Sequence, residues 1–276
     1  MKIVVQDRAG FHEAARCTTI FTTHPRTQVI GSGAVPEDGP TDPFADVATL
    51  SGVGAAASHA RDALDALLRH PSMRRDAARL AAESVLRGSR ASAVLAGGNP
   101  DDLLDPITQG ALRVTGEIAT LAATWERAPG QALARIHVLA ARDLALSDSL
   151  GRPRPGADIR RLGQLLRLAV APTSAPGVIV AALVHGELRA LDPFGSAGGL
   201  VARATERLVL VARGVDTRAV GVPESGHLEL APAYEPLVAA YRSSGRDGVA
   251  AWVRHCCEAY ARGAEAGLAH ASGAPG

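Results

Sequence analysis

Two apolar, alanine-rich segments near the centre of the sequence place the strongest constraint on the fold. They lie within residues 178–214, VIVAALVHGELRALDPFGSAGGLVARATERLVLVARG, and both space their apolar side chains three and four residues apart, as an α-helix does. Pro193 lies between them, and a proline disfavours helical geometry at the preceding residue and has no backbone N–H to donate. The sequence therefore predicts one helix from about Ala175 to Ala190 and a second that begins near Gly199.

The connection between these two segments is rich in glycine. It runs DPFGSAGG from Asp192 to Gly199. Glycine lets a ligand approach the backbone closely, and the first amides of the following helix lack intrahelical acceptors and lie at the positive end of its dipole. These are the requirements of an anion site, and phosphate is the expected ligand. An ordinary connection between two packed helices also explains the glycines, so both interpretations stay open.

Two common phosphate-binding motifs are excluded. The dinucleotide-binding fingerprint requires a strand before the turn and G-x-G-x-x-G spacing, and the sequence has neither. A Walker P-loop ends in Gly-Lys-Ser/Thr, whereas the only lysine of the chain is Lys2.

The connection and the start of the second segment resemble the motif H-P-F-x-[DE]-G-N-G-R-x-x-R of the Fic/Doc family. Four of its nine fixed positions match: Pro193, Phe194, Gly199 and Arg203. The other fixed positions are replaced, with Asp192 for the histidine, Ser196 for the acidic residue, Ala197 and Gly198 for Gly-Asn, and Leu200 for the first arginine. The preceding segment is also similar to the family, in Val184-His185, Leu188 and Leu191.

The resemblance implies a Fic-like helical bundle and a specific chemistry. Active Fic enzymes transfer AMP from ATP to a hydroxyl of a target protein. Their histidine is the general base, their acidic residue binds Mg²⁺, and their glycine-rich turn and second arginine bind phosphates. Carried over, the phosphate or nucleotide site consists of Gly195, Ser196, Gly198, Gly199 and Arg203. Asp192 takes the catalytic position, and we expect Arg203 to face the turn from one helical turn away.

Two other segments resemble parts of Fic proteins. An autoinhibitory helix of the form [ST]-x-x-x-E-[GN] is similar to Ser92–Gly97, in which Ala96 replaces the glutamate. The family's flap, G-x-[YF]-R followed by a β-hairpin, is similar to Gly151–Arg154, but a helical pattern follows there at once and the hairpin is expected to be missing. A helix that ends at a glycine C-cap and a solvated loop explain the two segments as well.

Helical periodicity continues through most of the chain and predicts an all-α fold. We expect a flexible N-terminal segment over residues 1–41, one Fic-like domain over 42–271 and a frayed tail over 272–276. Asp42-Pro43 is expected to start the first helix, Ser72 to cap a later one, and Asn99-Pro100-Asp101-Asp102 to open another. A loop is expected from Thr217 to Glu224, with helix again from Ala231.

Charge and cysteine content limit the function. A net charge of +1 gives no electrostatic basis for binding nucleic acid or an anionic membrane. No apolar run reaches the length of a membrane span, so we expect a cytoplasmic protein. The three cysteines are Cys17 and the consecutive pair Cys256 and Cys257, and they do not form a disulfide framework. Although His255 precedes the pair, neighbours on one helix cannot surround a metal without outside ligands, so no metal site is predicted. His137 is interpreted as a core histidine.

Two functional hypotheses follow. In the first, a noncatalytic Fic-fold protein binds ATP, another nucleotide or phosphate at the turn, or binds a protein partner. In the second, it is a transferase of AMP, phosphoryl or glycosyl groups with altered catalytic residues. An aspartate acts as a base near neutral pH only where its pKa is raised above ~3.9, and serine is a poor ligand for Mg²⁺. These replacements favour the first hypothesis.

Overall fold

A computed structural model describes residues 42–273, and the expectations for residues 1–41 and 274–276 lie outside it. Twelve α-helices make up the described part, which contains no strand, so the all-α prediction is confirmed. They are α1 (Pro43–Ala48), α2 (Val53–Arg69), α3 (Ser72–Arg75), α4 (Ala77–Leu95), α5 (Pro106–Arg127), α6 (Pro129–Ala141), α7 (Ile159–Val170), α8 (Gly177–Leu191), α9 (Gly198–Ala212), α10 (Pro223–Glu229), α11 (Ala231–Ser243) and α12 (Gly245–Ala271).

The two central segments form the middle of the bundle. Helices α8 and α9 pack against each other, and every side chain from Val178 to Leu188 and from Leu200 to Leu210 is buried. Around this pair, α5, α4 and α6 pack on α9, while α12, α11 and α7 pack on α8. The long α12 also contacts α2 and α10. Because both central helices are buried on all sides, polar residues within them lie in the core.

Local sequence signals account for several helix ends. Asp42 accepts hydrogen bonds from the amides of Phe44 and Ala45, with Pro43 in the first turn, as expected. At the end of α4, Gly97 takes a φ of +80°, and the Gly98 amide donates to the Ala93 carbonyl. The glycine C-cap interpretation of this segment is therefore correct in its geometry.

Three boundary predictions are wrong. Ser72 caps no long helix, because its hydroxyl donates to the carbonyl of Ala271 and α4 begins only after Asp76. The helix expected to open at Asn99 begins at Pro106, where the Asp105 carboxylate accepts the Thr108 amide at 2.8 Å and so caps the helix.

The third error is the loop expected up to Glu224, which overlaps α10. This helix starts at Pro223 and crosses α12 so closely that a Cβ on Gly226 would lie 2.0 Å from the Ala259 carbonyl oxygen. A seven-residue helix has little stability of its own, and this packing is what holds it. Within residues 42–273, no helix is long and apolar enough to cross a bilayer.

Candidate functional site

The connection between α8 and α9 is a tightly folded turn. Asp192 ends α8 in the left-handed region, with a φ of 42° and its amide on the Leu188 carbonyl. Gly195 and Ala197 also have positive φ values, of 70° and 51°. Left-handed geometry is unfavourable for residues that carry a Cβ, so the surrounding contacts must hold Asp192 and Ala197 in place.

The loop that resembles the flap lies on this turn. The Arg154 amide donates to the Pro193 carbonyl at 2.8 Å, and its Nε donates to the Asp192 carbonyl, also at 2.8 Å. A Cβ on Gly195 would lie 2.9 Å from Arg154 Cδ, so this glycine gives the arginine room to cross the turn. The structure therefore brings Gly151–Arg154 into contact with the turn, although the two segments are about 40 residues apart in sequence.

His137 of α6 fixes the other side of the turn. Its ring stacks on Phe194 with centroids 4.1 Å apart, and its Nδ1 accepts the Gly151 amide at 2.9 Å. Since Nδ1 accepts, the neutral ring carries its proton on Nε2, which donates to Ser196 Oγ at 3.0 Å. Burial lowers the pKa of His137 and favours this neutral form. His137 therefore orients Ser196 and, in this tautomer, cannot remove its proton.

A cavity of about 390 Å³ opens at the N-terminus of α9. Residues 196–200 form one wall, and Ala96, Ile107, Arg189, Arg203 and Glu235 are among its other lining residues. The first intrahelical bond of α9 runs from the Val201 amide to the Ala197 carbonyl. The amides of Gly198, Gly199 and Leu200 consequently have no acceptor within the helix. The cavity thus contains the partial positive charge of a helix N-terminus.

Arg203 lies beside the turn, as the spacing predicted, but it is 1% exposed. A Cβ on Gly199 would lie 3.2 Å from one of its terminal nitrogens. Its Nε donates to Ser92 Oγ at 3.0 Å, and a terminal nitrogen donates to the Ser92 carbonyl at 2.8 Å. The other terminal nitrogen is 3.4 Å from the Tyr234 hydroxyl. Ser92 and Ala96, at the end of α4, therefore lie next to the turn. Two of the three guanidinium nitrogens of Arg203 already donate hydrogen bonds to Ser92.

Arg189 supplies a second guanidinium on the cavity wall. It forms an ion pair with Glu235 through contacts of 2.6 and 2.9 Å, and its side chain is 19% exposed. Its Nε is buried and makes no hydrogen bond within residues 42–273. Arg189 was not predicted from the sequence, because it lies in the last turn of α8, before the residues that match the motif.

Asp192 lies in an open position at the end of α8. Its side chain is about half exposed, and Arg154 Nε lies 3.8 Å from its carboxylate. The burial that could have made this aspartate a base is therefore absent. Leu200, at the position of the motif's first arginine, is buried.

A second group of polar residues lies deeper in the core and was not predicted. It comprises His185, Glu206, His227 and Cys256, from four different helices and all buried. The sequence argument against a metal site considered only neighbouring residues within α12, which cannot surround an ion without ligands from elsewhere. The fold supplies such residues, because it brings His185, Glu206 and His227 close to Cys256. The sequence does contain one sign of this cluster, since His185 and Glu206 are polar residues within the otherwise apolar helices α8 and α9.

The chain matches no model of a known protein family, and no curated protein matches it significantly.

Proposed function

We propose that this protein binds a phosphate-bearing ligand of the nucleotide class in the cavity at the N-terminus of α9, as a noncatalytic Fic-fold protein. The observation that carries the proposal is the cavity itself, in which the free amides of Gly198–Leu200 meet the guanidinium groups of Arg203 and Arg189. A helix N-terminus and arginine side chains are the groups with which proteins most often bind phosphate.

The size and charge of the cavity suit such a ligand. A volume of about 390 Å³ falls in the range of small-molecule sites. Glu235 forms an ion pair with Arg189, and a phosphate would compete with that carboxylate for the guanidinium. The Asp192 carboxylate lies beside the first of the backbone amides, since a Cβ on Gly198 would be 2.9 Å from Asp192 Oδ1, and a phosphate bound there would have to displace it.

Three features support a noncatalytic role. Asp192 is half exposed beside Arg154, the Ser196 hydroxyl is hydrogen-bonded to His137, and Leu200 offers no charge at the place of the motif's first arginine. The Fic resemblance adds an expectation for α4, whose counterpart in the family restrains an arginine of the motif. In this chain Ala96 occupies the position of the family's glutamate, and Arg203 instead donates hydrogen bonds to Ser92 of the same helix.

Thermal shift measurements with pyrophosphate, nucleoside mono-, di- and triphosphates and nucleotide-sugars, each with and without Mg²⁺, test the binding proposal. A ligand present at 100 times its dissociation constant stabilises the fold by about 2.7 kcal/mol, which is readily measured. Calorimetry then gives the affinity of the best ligand. Arg189→Ala should weaken it about tenfold or more, whereas Arg69→Ala, a matched change at an exposed arginine, should not.

Arg203→Ala should weaken binding further, provided that its circular dichroism spectrum shows a folded protein. If no phosphate compound raises the melting temperature, or if Arg189→Ala and Arg203→Ala bind as the wild type does, the cavity is not a phosphate site.

Incubation with labelled ATP and Mg²⁺ tests the absence of transferase activity. We expect no label on the protein itself or on proteins of a lysate, because loss of a general base alone costs ~10²–10⁴ in rate. Label that wild type incorporates and Asp192→Ala does not would instead establish the alternative, a transferase with an unusual base.

A further inference from the structure

Four helices bring metal-ligating side chains to one point in the core. His185 comes from α8, Glu206 from α9, His227 from α10 and Cys256 from α12, and one ligand atom of each lies within 4.8 Å of the others. The closest approaches are 2.8 Å between His185 Nδ1 and a Glu206 oxygen and 2.9 Å between His227 Nε2 and the other oxygen. All four side chains are fully buried.

Hydrogen bonding leaves one atom of this cluster unsatisfied. Although His185 Nδ1 is near Glu206, the contact does not have hydrogen-bond geometry, and this buried nitrogen has no hydrogen-bond partner among residues 42–273. A buried nitrogen without a partner destabilises the fold, and an ion bound to it would remove that penalty.

The other ring nitrogen of each histidine has a hydrogen-bond partner, as it does in metal sites. His185 Nε2 is 2.7 Å from the Tyr234 hydroxyl, and His227 Nδ1 is 3.2 Å from His255 Nε2. Metal-bound histidines use the far nitrogen in this way, donating it to a second group that fixes the ring. The Tyr260 hydroxyl likewise donates to Glu206 at 2.7 Å.

We propose that His185, Glu206, His227 and Cys256 bind one divalent ion of the zinc class. Two imidazoles, a carboxylate and a thiolate are ligands that zinc accepts, and four protein ligands in a buried place describe a closed structural site. Tetrahedral bonds of about 2.0 Å separate ligand atoms by roughly 3.3 Å. The contacts of 2.8 and 2.9 Å to Glu206 must open by about half an ångström, and the widest separations, which reach up to 4.8 Å, must close by up to about 1.5 Å. Binding replaces the thiol proton of Cys256, which passes to solvent.

The site lies in the core rather than in the cavity at the turn, so its test is independent of the phosphate proposal. Because a buried site fills as the chain folds, the full-length protein is unfolded in denaturant with a chelator and refolded with Zn²⁺ or Co²⁺. We expect one ion per chain by elemental analysis after desalting. The cobalt protein should show tetrahedral d–d absorption and a thiolate-to-cobalt charge-transfer band.

The adjacent cysteines supply a matched pair of variants. Cys257 is equally buried but is not part of the cluster, so Cys257→Ser should retain the ion and the charge-transfer band. Cys256→Ser should lose the band and at least tenfold in affinity. The cobalt spectrum of wild type decides the matter even if Cys256→Ser fails to fold. Refolded wild type without bound metal or without a thiolate band, or a folded Cys256→Ser that keeps the band, would overturn the proposal.

Discussion

Replacing Ser92 by alanine should destabilise the protein more than its small size suggests. Ser92 is 4% exposed, and its hydroxyl accepts the Nε proton of the buried Arg203 at 3.0 Å. Alanine keeps the carbonyl that binds a terminal nitrogen of Arg203 but leaves Nε without an acceptor. Hydrogen bonds to charged groups contribute about 1.5–3 kcal/mol, and an orphaned buried donor costs a similar amount. We therefore expect a loss of about 2 kcal/mol in the free energy of unfolding.

Ser89 offers a control within the same helix. It is also buried, but its hydroxyl donates only to the carbonyls of Val85 and Leu86 one turn earlier in α4. Ser89→Ala orphans no charged donor, and alanine has the higher helix propensity, so its effect should stay within about 0.5 kcal/mol.

Urea unfolding of wild type and the two variants, followed by circular dichroism, measures the difference. For a domain of this size, 2 kcal/mol corresponds to a lowering of the melting temperature by roughly 4–8 °C. If Ser92→Ala is no more destabilising than Ser89→Ala, the hydroxyl does not hold Arg203, and the contact between α4 and α9 has been assigned the wrong energetic role.

Two further predictions concern packing and pH. Gly226→Ala should lower the free energy of unfolding by several kcal/mol or prevent folding, because the new Cβ would lie 2.0 Å from the Ala259 carbonyl oxygen. Gly116 has open space around it, so Gly116→Ala should instead stabilise the protein by up to about 1 kcal/mol, as measured by thermal unfolding. Burial lowers the pKa of His137 below its ordinary 6.5, so the unfolded chain binds more protons and stability falls as the pH drops through 6.5. His137→Gln should make the urea-unfolding free energy less dependent on pH between 7 and 5, and an unchanged slope would contradict the assignment.

Local signals in the sequence were sufficient for most of the architecture. The helix predicted from Ala175 to Ala190 is observed as Gly177–Leu191, because Pro193 and the apolar period limit it from within the segment. Helix α10 could not be found in this way. It has seven residues, and its stability comes from the close crossing at Gly226, a contact between segments far apart in sequence.

The candidate sites show the same division between local and distant information. The place of Arg203 beside Gly199 follows from a spacing of four residues, and it was predicted. Its hydrogen bonds to Ser92, and the approach of Arg154 to the turn, depend on contacts between distant segments. The cluster around Glu206 was missed for a related reason, since its residue His227 belongs to α10, a helix that was not predicted.

Three buried charged residues lie on one side of α9, and stability alone does not account for them. Arg203, Glu206 and Arg207 are each at most 1% exposed. Glu206 accepts a hydrogen bond from Tyr260 and lies 2.9 Å from His227 Nε2, and Arg207 donates to the Ser84 hydroxyl and the Ala219 carbonyl. Well-packed apolar residues are often as stable as buried charges, or more so.

The position of these charges fits the two proposed sites. Arg203 lines the cavity, and Glu206, one turn further along α9, belongs to the metal-binding cluster. The Tyr234 hydroxyl lies between them, 3.4 Å from Arg203 and 2.7 Å from His185. Burial raises the pKa of Tyr234 to about 12, and in the proposed metal site this hydroxyl accepts the hydrogen bond that His185 Nε2 donates. A single helix thus carries a guanidinium to the proposed phosphate site and a carboxylate to the proposed metal site, which gives Arg203 and Glu206 a role that apolar side chains could not fill.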